Sequence, residues 1–148
     1  MDQLDVIQLC YLQQEVLEKV LGLCHEDNRR AIREYVSVED GYAIQLFHIH
    51  GTGGTTQGVG NHYHEGKYTE AFIILKGDGK VSLAKVDQNN VPGEVDRYDL
   101  KPGTQILVHP RVAHYFELTA GTVMMCMVYG VDAGQAPGVA VKCVISDK

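Results

Sequence analysis

The chain has 148 residues, of which 45% are hydrophobic, and a formal net charge of −6 at pH 7. These values are typical of one globular domain with its own core, and the acidic balance argues against a nucleic-acid partner. The apolar runs are too short for a membrane-spanning helix, and Asp2 and Asp5 stand where a secretory signal would carry basic residues. We therefore expect a cytoplasmic protein without a membrane partner.

The first predicted element is an amphipathic helix over residues 2 to about 23. Its apolar residues recur at spacings of three to five: Leu4, Ile7, Leu12, Val16, Val20 and Leu23. One apolar stripe suits packing across an open sheet edge or onto a second subunit. The charged segment His25 to Arg33 is a candidate for a short second helix. The prediction is thus a helical segment over 1–34 in front of a β-domain over 35–148.

From Tyr35 onward the pattern is that of β-strands. YVSV, the turn Glu39-Asp40-Gly41 and YAIQLFHI read as strand, tight turn and strand. Short strands with turn signals every 8 to 12 residues or so continue to Ile145, about nine in all. Neither an internal repeat nor βαβ alternation is present, so an all-β sandwich or barrel is predicted.

The segment Gly51 to Gly60 contains five glycines in ten residues. A phosphate-binding loop would need a downstream Gly-Lys-Ser/Thr and a following helix, and the sequence has neither. We expect a flexible loop at the mouth of a barrel.

The cysteines are scattered and form no CxxC pair: Cys10, Cys24, Cys126 and Cys143. In a cytosolic protein this spacing indicates reduced, mostly buried thiols, and it disfavours a zinc-finger or redox role.

The clearest chemistry lies in the stretch NHYHEGKYTEAFIILKGDG, from Asn61 to Gly79. His62 and His64 are two apart, so on a strand both imidazoles leave one face and Tyr63 leaves the other. Glu70 opens the apolar run AFIILK, which GDG closes as a hairpin turn. Two imidazoles and a carboxylate on adjacent antiparallel strands would chelate a divalent transition metal.

The alternative is that these histidines line a barrel and bind only water. The His-x-His pattern is weak by itself, since His48-Ile49-His50 is a second one. Glu70 favours the metal, because a carboxylate at the inner start of an apolar strand needs a cation or hydrogen bonds to offset its desolvation.

With the residues that follow, the stretch resembles the cupin superfamily. The first cupin motif runs Gly, five residues, His-x-His, three or four residues, Glu, six residues, Gly; the second contains Gly, Pro and a later His, similar to Gly103, Pro110 and His114. The resemblance covers residues 40 to 130. Here five residues separate His64 from Glu70, and Thr56 replaces the first glycine.

The resemblance implies a small, single-domain, RmlC-like cupin with a double-stranded β-helix, or jelly-roll barrel. It also implies four metal ligands, which are His62, His64, Glu70 and His114. Imidazole and carboxylate suit Mn²⁺, Fe²⁺, Co²⁺, Ni²⁺ or Zn²⁺, and the lack of clustered oxygen ligands argues against Ca²⁺. Four protein ligands leave one or two positions for water, dioxygen or substrate, as in a catalytic site.

Further candidates for a catalytic role are His48 and His50, which would assist the metal site if their strand face is the lumen. His109 is expected to point away from the cavity. An inward tyrosine could be a general acid, although a tyrosine on a half-buried strand usually packs. The tyrosines in question are Tyr63, Tyr68, Tyr115 and Tyr129.

Three functions are compatible with these residues. The leading hypothesis is a metal-dependent enzyme of dioxygenase, isomerase or lyase type that acts on a small organic substrate. The second is a metal-independent sugar-nucleotide epimerase with His62 or His114 as its base. Basic residues that could meet a diphosphate are Lys67, Lys76, Lys80 and Arg111. The third is a non-catalytic ligand-binding or sensing module.

Cupins are commonly dimers, so the resemblance also implies a homodimer. Outward apolar residues are expected on AFIILK and VMMCMVY, and they would suit association between sheets or cover by the N-terminal helix.

Overall fold

The computed structural model describes residues 21–37, 39–130 and 140–147. In these ranges the chain forms strands and turns, and no helix there is long and apolar enough to cross a membrane. The strands are β1 (Gly22–Glu26), β2 (Arg30–Ser37), β3 (Tyr42–Ile49), β4 (Thr56–His64), β5 (Thr69–Lys76), β6 (Gly79–Lys85), β7 (Asp96–Leu100), β8 (Gln105–Val108), β9 (Val112–Thr119), β10 (Val123–Tyr129) and β11 (Ala140–Lys142).

The strands form two antiparallel sheets. A six-stranded sheet, here the large sheet, has the order β1-β2-β3-β10-β5-β8. A five-stranded sheet, the small sheet, has the order β11-β4-β9-β6-β7. Side chains from both sheets share one buried cluster, so the sheets pack face to face. The prediction of an all-β fold is confirmed.

Period-two alternation explains how the core forms. Along β5 the side chains of Glu70, Phe72 and Ile74 are buried between the sheets. Phe72 meets Phe116 of β9 across the core, with ring centroids 4.8 Å apart. Each such aromatic side chain contributes about 1.5–3 kcal/mol when fully buried, so this layer holds the sheets together.

The prediction of a short helix over His25 to Arg33 is wrong, because this segment contains most of the β1–β2 hairpin. The Asp27 carboxylate accepts hydrogen bonds from the backbone N–H groups of Arg29 and Arg30, at 2.8 and 3.0 Å, and so closes the turn. Ile32 then packs against the core from β2. Burial of alternate residues outweighs the helical propensity of the charged segment.

The predicted N-terminal helix falls on residues 1–20, outside the described part of the chain, and its last residues Gly22 and Leu23 belong to β1. Leu21 packs on the outer face of the large sheet. There it meets the buried side chains of Leu46, Leu75 and Val123. Among the described residues the first strand begins at Gly22, ahead of the expected boundary at residue 35.

The glycine-rich segment is a loop only in its first half, since Thr56 to Gly60 belong to β4 and pair with β9. The described cysteines have free thiols: Cys126 and Cys143 are buried, whereas Cys24 is exposed.

Candidate metal centre

Four side chains meet between the two sheets. His62 and His64 come from the end of β4, and His114 faces His62 from the neighbouring strand β9. One ring nitrogen from each of these histidines lies within 4.8 Å of the other two. Glu70 approaches from β5 of the large sheet, and its Oε2 atom is 3.4 Å from Nε2 of both His64 and His114. All four predicted ligands thus converge on one point.

A β-bulge aims His62 into this point. The pairing of β4 with β9 shifts register between Gly60 and His62, and Asn61 is the extra residue. Gly60 has φ +115° and Asn61 has φ 62°, the left-handed conformations that Gly and Asn adopt most readily. Without the bulge, simple alternation from Val59, which faces the core, would turn His62 outward.

The protonation states suit a cation. Burial, followed by the neighbouring His114 and His64, lowers the pKa of His62 to about 4. Burial likewise lowers the pKa of His114. At Glu70 burial raises the pKa, but contact with His64 and the other imidazoles outweighs burial, and the net pKa falls. At neutral pH the imidazoles of His62 and His114 are therefore neutral beside one carboxylate.

The hydrogen bonds around the cluster fix one ring. Nδ1 of His114 lies 3.4 Å from the backbone carbonyl of Val112, so an Nδ1–H group there leaves the Nε2 lone pair directed at Glu70 and the other histidines. A metal-binding histidine commonly uses its second nitrogen in this way.

The remaining polar atoms of the cluster fit a metal ion. Both ring nitrogens of His64 and Oε2 of Glu70 are buried and make no hydrogen bond to any described residue. A buried polar atom without a partner costs about 1–3 kcal/mol. A divalent cation bound by Oε2 of Glu70 and by one ring nitrogen of His64 would remove that cost for these two atoms, and imidazole with carboxylate is the donor set of transition-metal sites.

The cluster lies in a cavity of about 310 Å³ between the sheets. Much of its wall is apolar, with Ile32, Phe47, Val59, Phe72 and Phe116. The polar lining outside the four clustered residues includes Arg29, Arg30, Gln45 and Tyr68. Such a mixture of apolar walls and a few polar groups is typical of a small-molecule site.

Tyr68 is the tyrosine nearest to the cluster. Its ring centroid is 4.2 Å from that of His64, and the residue is 5% exposed. Burial, and then the charge of Glu70, raises the pKa of the phenol, so Tyr68 keeps its proton at neutral pH. It can therefore donate a hydrogen bond in the cavity, whereas the raised pKa makes it a weak proton donor.

Four of the side chains predicted as catalytic candidates do not line the cavity. His48 pairs with Val123 on the outer face of the large sheet. Nε2 of His50 lies 3.4 Å from Oε1 of Glu26, at the β1–β2 hairpin. Tyr63 and Tyr115 belong to or pack against a cluster on the other face of the small sheet. The cavity-facing residues of β3 are instead Gln45 and Phe47.

The basic residues proposed to meet a diphosphate are also elsewhere. Arg111 binds the carboxylate of Glu65 at 2.8 Å and the side-chain oxygen of Asn90 at 3.0 Å, and it covers the ring of Tyr63. Its role is structural. Lys67, Lys76 and Lys80 are exposed and do not line the cavity. His109 is exposed and is not among the residues that line the cavity.

Sequence reasoning missed Arg29 and Arg30. Both line the cavity from the β1–β2 hairpin, in the segment that was interpreted as a helix. Arg30, Ile32 and Val36 stand at even spacings along β2, and this period-two signal could have placed Arg30 on the inner face.

Known proteins are similar in structure but not in sequence. No family model and no curated protein match the chain. The capsular polysaccharide assembling protein CapF from Staphylococcus aureus is 17% identical with a TM-score of 0.56, over 80% of this chain and 31% of that one. A variant of oxalate decarboxylase from Bacillus subtilis is 15% identical with a TM-score of 0.60, over 79% and 29%.

Vicilin from Corylus avellana (hazelnut) is 10% identical with a TM-score of 0.58, over 74% of this chain and 32% of that one. The chain therefore spans about a third of the length of these three proteins. Identities this low compare architecture and not activity. Together with the two packed antiparallel sheets, this likeness shows that the chain has the cupin-superfamily fold.

Proposed function

We propose that this protein is a metal-dependent enzyme. It binds one divalent transition metal through His62, His64, Glu70 and His114 and acts on a small organic substrate in the adjoining cavity. The observation that carries the proposal is the buried carboxylate of Glu70, with Oε2 3.4 Å from two imidazole nitrogens and no hydrogen bond to a described residue. A carboxylate in that position needs a cation to offset its desolvation.

The candidate metals are Mn²⁺, Fe²⁺, Co²⁺, Ni²⁺ and Zn²⁺, since all accept imidazole and carboxylate ligands. Oxalate decarboxylase from Bacillus subtilis, which has a similar fold, contains Mn(II) centres. Mn²⁺ is therefore the first metal to test.

The bound metal would supply a Lewis acid or a centre for dioxygen. The chain itself contributes orientation, exclusion of water and a hydrogen-bond donor. Nδ1 of His114 at the Val112 carbonyl holds one ring in place, and the apolar walls formed by Phe47 and Phe72 limit the access of water. Tyr68 is the proposed hydrogen-bond donor to the substrate, because it lines the cavity and keeps its proton.

A metal-independent, RmlC-like epimerase is less well supported. Its base would be His62 or His114, but the pKa of His62 is lowered to about 4, so this imidazole is a weak base. The cavity of about 310 Å³ is also at the lower end of the size range of ligand sites, which is small for a sugar nucleotide.

The test is metal binding by matched variants. Protein purified without chelators is analysed for metal content, then stripped and titrated with Mn²⁺ by calorimetry and thermal unfolding. We expect one metal per chain, bound by the wild type and by His109→Ala, an exposed histidine used as the control. His64→Ala should lose the site. Metal binding that survives in His64→Ala, or that is absent from the wild type, would contradict the proposal.

Catalysis is tested separately with the metal-loaded and metal-stripped wild type on the same panel of small organic substrates. Turnover that needs the metal supports an enzyme, whereas binding of a small molecule without turnover supports a sensing or binding module.

We also propose a homodimer through the outer face of the large sheet. Ile44, Ile73 and Met125 are only partly buried there, and Leu107 is 56% exposed on the edge strand β8. A contiguous apolar face of this kind suits association between two copies.

A further inference from the structure

Arg30 is a basic residue placed inside the cavity by its strand. It is the first residue of β2, where it pairs with Ile49 of β3, and it shares the inward face with Ile32. The β1–β2 turn fixes its backbone, because Oδ1 of Asp27 accepts a hydrogen bond from the Arg30 N–H group at 3.0 Å. The turn thus fixes the backbone at the point from which the Arg30 side chain lines the cavity.

The guanidinium of Arg30 has unused donors. Its Nε and Nη1 atoms are buried, and neither makes a hydrogen bond to a described residue. Neighbouring Arg29 differs, since its Nη2 atom binds the carboxylate of Asp27 at 2.9 Å and its side chain is 46% exposed. A buried guanidinium with unpaired N–H groups is unfavourable unless an acceptor arrives, and its planar fork fits a carboxylate in bidentate fashion.

The charges that line the cavity favour an anion. Arg29 is paired with Asp27, so Arg30 is the arginine in the lining without a carboxylate partner, and Glu70 is the one carboxylate among the lining residues. A divalent cation at the four clustered ligands would outweigh the charge of Glu70 and leave the cavity net positive. Burial and the charge of Arg29 lower the pKa of Arg30, an effect that a bound anion would oppose.

We propose that Arg30 binds a carboxylate of the substrate, so that the substrate is a small carboxylic acid whose reacting end faces His62, His64, Glu70 and His114. This inference rests on the proposed function for the identity of the reacting centre, whereas the carboxylate site itself depends only on Arg30. The cavity of about 310 Å³ lies at the lower end of the size range of ligand sites, which suits an acid of a few carbon atoms.

The experiment measures acid binding in the full-length protein, both metal-stripped and loaded with Mn²⁺, after dialysis to remove the chelator. The probes are propionate and succinate, and propionamide and succinamide are their uncharged counterparts. Arg30→Gln removes the charge, and Arg97→Gln is the control because Arg97 is exposed on the distant edge strand β7. Binding is followed by calorimetry and by amide chemical shifts in the metal-stripped protein.

We expect at least one of the two acids to bind the wild type and Arg97→Gln, the amides not to bind, and Arg30→Gln to weaken acid binding about ten-fold or more. Failure of both acids to bind the wild type, or equal binding by Arg30→Gln, would overturn the proposal. Mn²⁺ titration of the same samples separates the two proposals. Acid binding that depends on Arg30 without any metal binding would overturn the metal centre alone, and the reverse would overturn the acid site alone.

A second variant guards against a purely structural role. Arg30→Met keeps the length of the side chain and removes its unpaired donors. If Arg30 is reserved for a ligand, the ligand-free Arg30→Met protein should melt at the wild-type temperature or above it. A melting temperature several degrees lower would show that Arg30 stabilises the fold, and it would overturn the proposal.

Discussion

Gly60 packs directly against the backbone carbonyl of His114. A Cβ atom at position 60 would overlap the carbonyl oxygen and lie 3.2 Å from the carbonyl carbon of His114. The contact lies beside the bulge that turns His62 inward. It holds β4, which carries His62 and His64, next to β9, which carries His114, at a separation that only glycine permits.

Gly60→Ala should therefore destabilise the protein by about 2–4 kcal/mol, through steric overlap and through strain at φ +115°. It should also weaken metal binding, because the strands must separate. The control is Gly66→Ala, since Gly66 has φ +73° with no atom within 4 Å of the added Cβ, and it should cost only about 1–2 kcal/mol. Urea unfolding and Mn²⁺ titration check both. Equal effects of the two substitutions would show that the backbone moves to accommodate the Cβ atom at position 60, and would contradict a tight contact between Gly60 and His114.

Glu70→Gln separates a metal ligand from a structural residue. The amide has the same shape, and Oε2 makes no hydrogen bond to a described residue, so the unfolding free energy of the metal-free protein should change by less than about 1 kcal/mol. The affinity for Mn²⁺ should fall by about 100-fold or more, because an anionic ligand is lost. Glu94→Gln, at an exposed position, is the control. A large loss of stability with unchanged Mn²⁺ affinity would assign Glu70 to the core and not to the metal.

The metal-free protein should lose stability as the pH falls from about 6.5 to 4. The pKa of His62 is about 4 in the folded state, chiefly because of burial, against about 6.5 in the unfolded state. Between these values the unfolded chain binds a proton that the folded chain does not, so stability rises with pH, by up to about 1.4 kcal/mol per pH unit. The unfolding free energy, measured with urea at several pH values in this window, should depend less steeply on pH in His62→Gln than in the wild type. Parallel pH profiles of the two proteins would contradict the shifted pKa.

Asn61 should stabilise the C-terminal segment. Its Oδ1 atom accepts hydrogen bonds from the backbone N–H groups of Ile145 and Ser146, at 3.0 and 3.1 Å, while its own φ is 62°. Asn61→Gly removes the side-chain bonds but tolerates the backbone, and should cost about 1–3 kcal/mol. Asn61→Ala should cost about 1–2 kcal/mol more through strain. If the two variants unfold at the same urea concentration, the left-handed backbone at position 61 does not strain alanine, and the predicted extra cost of Asn61→Ala is wrong.

Ile73→Lys should turn the proposed dimer into a monomer. Ile73 lies on the outer face of the large sheet and is only partly buried, so the monomer can hydrate the lysine while a packed interface cannot. Light scattering after gel filtration gives the mass. Lys101→Glu, on an exposed turn, is the charge control and should remain a dimer. A wild type that is already monomeric at high concentration would contradict the homodimer.

The sequence predicted three of the four clustered residues from a local pattern, whereas His114 was implied only by the cupin resemblance. His62 and His64 share a face by alternation, and Glu70 begins an apolar strand. The bulge at Asn61 was not predicted, since it depends on the pairing of β4 with β9, which are about fifty residues apart. The sequence alone also could not show whether His48 faces the core, because alternation gives two faces and only packing decides which one is inner.

Arg30 shows a different limit. The segment around it is rich in charges, and local propensity favoured a helix. The hairpin forms because Ile32 packs against a core built from distant strands and because Asp27 closes the turn. That a charged residue next to this turn lines a cavity between the sheets is a tertiary property, and propensity does not report it.

The ligand cluster is divided between the two sheets, with three imidazoles on one and a single carboxylate on the other. An ion bound there would link the two sheets, which are otherwise held together by apolar packing. Removal of the ion by a chelator should then lower the stability of both sheets as well as abolish metal-dependent activity, and amide hydrogen exchange should become faster in β5 and β9 together.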